Sequence, residues 1–104
     1  MQNMTNPDSL TTDARTKRGM AWIGKTLEAI AKDSNVQIKQ WTWILDPTAA
    51  GERLYSLIVV SNRHKRAIKL FSKMEIDQCP TDKILQEEVQ LRLNGILAFI
   101  GPNH

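Results

Sequence analysis

The chain has 104 residues and a formal net charge of +3, and 41% of its residues are hydrophobic. This length predicts one domain with one core, and no apolar run approaches the roughly 18 residues of a membrane span, so no membrane partner is expected. The first ten residues lack the pattern of a secretory signal, and Cys79 as the one cysteine excludes an intrachain disulfide. We therefore expect a cytoplasmic protein.

The first predicted element is a helix, which follows a flexible polar tail over residues 1–10. Thr12 or Asp13 is suited to cap it, and apolar residues then recur at intervals of three and four for about twenty residues. On its outer surface Arg18 precedes Trp22 by four positions and could stack on the ring. This basic-aromatic helix face either contacts a phosphate backbone or shields the ring: Arg15, Arg18, Trp22 and Lys25.

Three segments rich in β-branched and aromatic residues predict strands over residues 36–45, 53–61 and 66–76. Short turns join them, so neighbouring strands are expected to be antiparallel. With one helix before and one after, the order is α-β-β-β-α. The predicted fold is therefore α+β, a three-stranded antiparallel meander with both helices packed on one face, in a single domain over residues 11–104.

The last predicted helix begins near Pro80, capped by Cys79 or Thr81, and ends at Gly101. A second apolar stripe recurs along it every seven residues, which a partner helix or a second layer would cover: Ile84, Leu91 and Ala98. The element order is similar to that of double-stranded-RNA-binding domains, in which a lysine cluster opens the last helix. Here Lys83 alone stands at that place, so the resemblance is confined to topology.

Residue parity divides the strand side chains between two faces of the sheet. The even-numbered set, which includes Ile44, Ile68 and Leu70, is almost purely aliphatic, and we expect it to form the core with the helices. The odd face carries rings and lysines and is expected to remain uncovered: Lys39, Trp41, Trp43, Tyr55, Lys69, Phe71 and Lys73.

Hairpins centred near Ala49 and Arg63 would place Trp43, Tyr55 and Phe71 in one row of this odd face. An apolar face of that size requires a cover. A helix of the same chain, a second copy, or single-stranded nucleic acid stacked on the rings would each provide one.

A basic tip separates the last two predicted strands, within a region over residues 34–75 that holds seven Lys and Arg against three Asp and Glu. Its side chains either contact phosphates, which would make binding steeply salt-dependent, or act as gatekeepers that prevent edge-to-edge pairing of apolar strands. The basic tip consists of Arg63, His64, Lys65 and Arg66.

The sequence shows no catalytic signature, since His64 and His104 are too few for a metal site and no Gly-rich phosphate loop is present. Cys79 has no identifiable base beside it. We therefore predict a non-enzymatic binding protein without a cofactor, which forms a homodimer through the odd face and acts by protein–protein contact. The alternative is a small basic nucleic-acid-binding module that uses the basic tip and the odd face.

Overall fold

The computed structural model describes residues 2–3, 13–47 and 53–101, with side chains over 13–45 and 54–101. Strands β2, β3 and β4 form an antiparallel meander, and β1 pairs parallel with β2. The elements are β1 (Gln2–Asn3), α1 (Ala14–Asp33), β2 (Ile38–Pro47), β3 (Arg53–Ser61), β4 (Arg66–Ser72), α2 (Lys73–Gln78) and α3 (Lys83–Ile100). The predicted α+β meander with helices on one face is confirmed. Of the predicted tail, β1 is described and the remaining residues lie outside the described ranges.

Helix α1 begins as the sequence indicates, because the Asp13 carboxylate accepts a hydrogen bond from the Arg15 backbone N–H. Its two glycines are explained by close packing. A Cβ at Gly19 would overlap the carbonyl oxygen of Ile76, and one at Gly24 would lie 2.5 Å from the Trp41 ring. These glycines let α2 and β2 approach α1 more closely than alanine would permit.

The chain leaves the sheet four residues earlier than predicted. Ser72 ends β4 and caps α2, and its side chain and that of Glu75 bond each other's backbone N–H in a capping box. The caps predicted for the last helix were wrong, since Cys79 ends α2 and Asp82 caps α3. The S-x-x-E pattern and an aspartate directly before Lys83 were the signals for these two boundaries.

The helices cover the odd face of the sheet, so the predicted assignment of the two faces was wrong. Trp43 is 1% exposed, and Tyr55 and Phe71 are fully buried. On the even face Ile68 is 52% and Leu70 50% exposed. The physical reason is area, because each aromatic ring buries about 150–250 Å² and dominates core energetics.

The register follows the predicted parity with two differences. Tyr55 lies opposite Phe71 as predicted, but Trp43 lies opposite Leu57, two residues from its predicted partner. A bulge near the start of β2 adds Lys39 as the extra residue, so that Ile38 pairs with Ser61 and is buried with the odd set.

Candidate functional site

The structure brings the four rings of the predicted odd-face site together, but inside the core. The Trp41 indole packs on Gly24, and its Nε1 donates to Glu28 Oε1 at 3.4 Å. Trp43 meets Phe71 edge-on with ring centroids 5.7 Å apart. Since these rings lie beneath α1 and α3, neither a second copy nor a nucleic acid has access to them, which corrects the prediction of an open aromatic surface.

Two polar atoms of this buried group have no hydrogen-bond partner within the described part of the chain. They are the indole Nε1 of Trp43 and the hydroxyl of Tyr55. A buried hydroxyl without a partner loses its hydration and gains nothing in return. The aromatic core is therefore held by burial of ring area.

The three lysines of the predicted site do not join the rings. Lys39 is exposed at the bulge of β2, and Lys69 is exposed on β4. Lys73 belongs to α2, where its Nζ pairs with Asp13 at 2.9 Å and with Asp77 at 2.7 Å. The paired carboxylates raise the pKa of Lys73 above its ordinary value, with Asp77 the larger cause.

Polar contacts fix α2 between the other two helices. The hydroxyl of Thr16, which is fully buried in α1, donates to Asp77. On the other side Arg92 of α3 pairs with Glu75, and its guanidinium carbon lies 5.4 Å from the centroid of the Phe71 ring. The hydrogen bond from Arg92 holds the pKa of Glu75 below its ordinary value. This network holds α2 between α1 and α3.

The basic tip is an ordered turn. The Ser61 hydroxyl accepts hydrogen bonds from the backbone N–H groups of Arg63 and Lys65, at 3.2 and 3.1 Å. His64 adopts a left-handed conformation with φ 66, and Asn62 donates to the side chain of Gln37 at 2.6 Å. The four predicted contact residues are all exposed, three of them on this turn and Arg66 as the first residue of β4: Arg63, His64, Lys65 and Arg66.

The predicted basic-aromatic helix face is only partly formed. Its cations, Arg15, Arg18 and Lys25, are exposed, whereas Trp22 is half-buried against the core. The structure describes a ring–cation contact between Arg92 and Phe71 and none between Arg18 and Trp22. Trp22 therefore packs on its own domain, without the predicted stack on Arg18 among the described contacts.

The even face of the sheet is the surface that the sequence reasoning missed. Ile44 is 46% exposed and lies in one row with Ser56 and Leu70. Thr42, Ile58 and Ile68 form the adjacent row. We call this surface the open aliphatic face; its apolar members are Ile44, Leu54, Ile58, Val60, Ile68 and Leu70.

A groove runs between β4, the last strand of the described sheet, and the C-terminal half of α3. It encloses about 460 Å³. We call it the edge groove; it is lined by Arg66, Ala67, Ile68, Lys69, Gly95, Ile96 and Phe99. The second apolar stripe of α3 is also exposed, with Ile84 at 73% and Leu91 at 70%.

Cys79 is fully buried, and its thiol lies 3.4 Å from the carbonyl oxygen of Ile76. Burial raises the pKa of this thiol to about 12, so it carries almost no thiolate at neutral pH. Within the described ranges, no cluster of His, Cys, Asp and Glu is arranged to hold a metal ion. The described helices also include none with the length and apolarity needed to cross a membrane.

No protein-family model, curated protein or solved structure matches this chain. Function is therefore inferred from three of the exposed surfaces described above: the open aliphatic face, the edge groove and the basic tip.

Proposed function

We propose that the chain is a non-enzymatic binding protein that forms a homodimer through the open aliphatic face and acts by protein–protein contact. One observation carries this proposal. Ile44, Ile68 and Leu70 are each about half exposed on a sheet face that no element within the described ranges covers. A contiguous aliphatic surface of this kind on a small domain is typical of an interaction site.

The chemistry of the face favours a second copy as its cover. The residues of its two central rows are aliphatic or neutral, with Thr42 and Ser56 as the polar members. Such a surface offers no charge to a phosphate or to an acidic helix. Two copies related by a two-fold axis would instead place like surfaces face to face, as sheets do when they pack about 10 Å apart in a sandwich.

The expected dimer is modest in affinity. Burying the exposed half of three aliphatic side chains on each protomer contributes about 5–9 kcal/mol in total, from about 1.5–3 kcal/mol for each fully buried side chain. Association costs about 4–15 kcal/mol in lost freedom of motion. We therefore expect an equilibrium between monomer and dimer that depends on protein concentration.

Sedimentation velocity over a range of concentrations tests this proposal. Leu70→Lys places a charge on the open aliphatic face and is expected to shift the protein to monomer. Leu91→Lys is the matched control, since Leu91 is 70% exposed on α3 and lies outside that face. A wild-type protein that sediments only as an 11.8 kDa species would overturn the proposal, as would an equal loss of dimer in both variants.

A second candidate function is binding of a nucleic acid by the basic tip, which the exposure of its four side chains on an ordered turn favours. The buried rings leave no stacking platform, so affinity would come from phosphate contacts alone. Three such contacts predict a log–log salt slope of about −2 to −3.

Filter binding of a single-stranded oligonucleotide measures that slope. Replacement of Arg63, Lys65 and Arg66 by Ser is expected to abolish it and to leave the fold intact, because exposed tip charges contribute little to stability. If the tip residues are gatekeepers instead, the same variant aggregates and the wild-type protein binds no oligonucleotide at physiological salt.

A further inference from the structure

We propose that the edge groove binds an extended segment of a protein partner, in which two acidic residues flank two apolar ones, and that this segment pairs with β4 as an added strand. The edge groove shares Ile68 with the central rows of the open aliphatic face. Its test uses Gly95 of α3, which lies outside that face, so its outcome is distinguished from that of the homodimer.

The first support is the position of β4 in the sheet. β4 is the last strand in the described order, and one of its two edges pairs with β3. In an antiparallel sheet alternate residues of an edge strand point their N–H and C=O groups away from the neighbouring strand. An extended segment pairs with such groups, which is how strand addition gives affinity.

The second support is Gly95, which lies within α3 and lines the groove. Glycine is among the least favourable residues inside a helix. For Gly19 and Gly24 the packing of the chain explains the missing side chain, since a Cβ would collide with neighbouring atoms. A Cβ at Gly95 would meet nothing within 4 Å. The internal packing therefore gives no reason for this glycine, whereas a segment that approaches the helix closely does.

The third support is the apolar floor of the groove. Ile96 is 2% and Ala67 9% exposed, and Phe99 stands beside them at 64%. A side chain of the added strand that lies beside Ala67 would point into this cavity of about 460 Å³ and contact the other two. Opposite Ile68 the next side chain of the segment would lie on the other side of the sheet, where an apolar residue is also favoured.

Charge defines the rest of the partner and excludes a second copy. Arg66 and Lys69 are exposed and form no ion pair within the described ranges. They stand three positions apart on β4, so an added strand meets them with residues that are also three apart. The segment is therefore acidic–apolar–apolar–acidic. This order of residue types is the same whether the segment runs parallel or antiparallel to β4. Pairing of two β4 strands would instead crowd four cations along one edge, and like charges oppose such pairing.

Fluorescence anisotropy with labelled peptides tests the proposal. The probe is a capped, fluorescein-labelled peptide of about eight residues, a typical strand length, with Glu-Val-Leu-Glu at its centre and threonine on both sides. One control has Glu-Val-Glu-Leu at the centre, which keeps the composition and changes the spacing. A second control has Lys in place of Glu, and a third carries N-methyl groups on alternate residues.

We expect saturable binding of the probe and at least about tenfold weaker binding of all three controls, which corresponds to about 1.4 kcal/mol. If the N-methylated peptide binds as tightly as the probe, pairing of the segment with β4 as an added strand would be overturned. Equal binding of the two spacing isomers, or no binding of the probe at all, would overturn the proposal.

Variants of the protein provide a second test of the edge groove. Gly95→Leu is expected to block the probe without lowering the midpoint of urea unfolding, because the new side chain meets open space and favours the helix. Gln90→Leu adds the same side chain at an exposed position of α3 outside the groove and should bind as the wild type does. Reversal of both groove charges, Arg66→Glu with Lys69→Glu, should transfer the preference to the Lys peptide. An unchanged preference, or unchanged binding by Gly95→Leu, would contradict the proposed site.

Discussion

The odd and even faces of the sheet are both apolar, but α1 and α3 cover only the odd one. Trp43 and Phe71 of the odd face are almost completely buried, whereas Ile68 and Leu70 of the even face remain half exposed. By hydropathy alone the aliphatic face would be the core. The helices cover the rings because a ring removes more apolar area from water than a branched aliphatic side chain does. The larger apolar area therefore decides which face is buried, and the aliphatic face stays exposed in the single chain.

Truncating one side chain on each face tests most directly whether the two faces contribute differently to stability. We expect Trp43→Ala to lower the free energy of unfolding by about 3–5 kcal/mol, because it leaves a large cavity in the core. Leu70→Ala should lower it by about 1 kcal/mol, since half of that side chain is already in water. Urea unfolding followed by far-ultraviolet circular dichroism, at a concentration where the protein is monomeric, measures both. Equal losses would contradict the account of the two faces.

Two glycine variants test the difference between a packed helix surface and an open one. Gly19→Ala should lower the free energy of unfolding by about 1–3 kcal/mol, because its Cβ would overlap the carbonyl oxygen of Ile76 and force α2 away. Gly95→Ala should raise it by about 1 kcal/mol through helix propensity. The midpoints of urea unfolding give both values. A change of the same sign in the two variants would contradict the contrast between the packed Gly19 and the open Gly95.

Much of the fold could be predicted because its signals are local. Asp13 marks the start of α1, the strand over 53–61 matches β3, and parity groups the side chains that share a face. Parity does not say which face the helices cover, since that depends on how α1 meets β2. Gly24 was the available clue, because a glycine inside a helix indicates a neighbour in close contact, here the Trp41 ring.

The candidate sites were harder to predict, because lysines made the odd face resemble a solvated surface. A different local feature keeps each lysine out of the core. Lys39 is the extra residue of a bulge, Lys73 belongs to α2, and Lys69 lies where β4 borders the edge groove. The start of α2 could have been predicted, because Ser72 and Glu75 form the pattern of a capping box. The edge groove could not, because it depends on the distance between β4 and α3, which no local sequence pattern encodes.

The contacts of α2 predict how stability depends on pH. The pKa of Glu75 is lowered in the folded state, chiefly by the hydrogen bond from Arg92, so the charged form favours folding. This contribution is fully present above the unfolded pKa of about 4.3 and is lost as the pH falls below that value and through the lower folded pKa. Asp13, whose pKa is lowered mainly by Lys73, contributes in the same direction.

We expect Glu75→Gln to cost about 1 kcal/mol at pH 7, because the pair with Arg92 is partly solvated. At pH 3 the difference from wild type should be smaller, since this pH lies below the unfolded pKa of about 4.3, where part of the contribution is lost. Urea unfolding at both pH values measures the two differences. A loss that is the same at pH 7 and pH 3 would show that Glu75 acts through its neutral contacts only.

The smallest expected effect concerns the Tyr55 hydroxyl. It is buried without a hydrogen-bond partner among the described residues. Its removal therefore breaks no hydrogen bond. Tyr55→Phe should keep the ring packed and raise the free energy of unfolding by up to about 1 kcal/mol. Thermal and urea unfolding check this value. A clear loss of stability would mean that the hydroxyl is bonded in the folded protein.

The most direct test of the two faces is nuclear magnetic relaxation caused by a soluble paramagnetic agent, recorded at low and at high protein concentration. The indole N–H of Trp43 should be protected at every concentration, because helices of the same chain cover it. The methyl groups of Ile44, Ile68 and Leu70 should relax strongly at low concentration and become protected together as the homodimer forms. Strong relaxation of the Trp43 N–H at low concentration would contradict the account of the core. Methyl groups that stay accessible at every concentration would contradict the role given to the open aliphatic face.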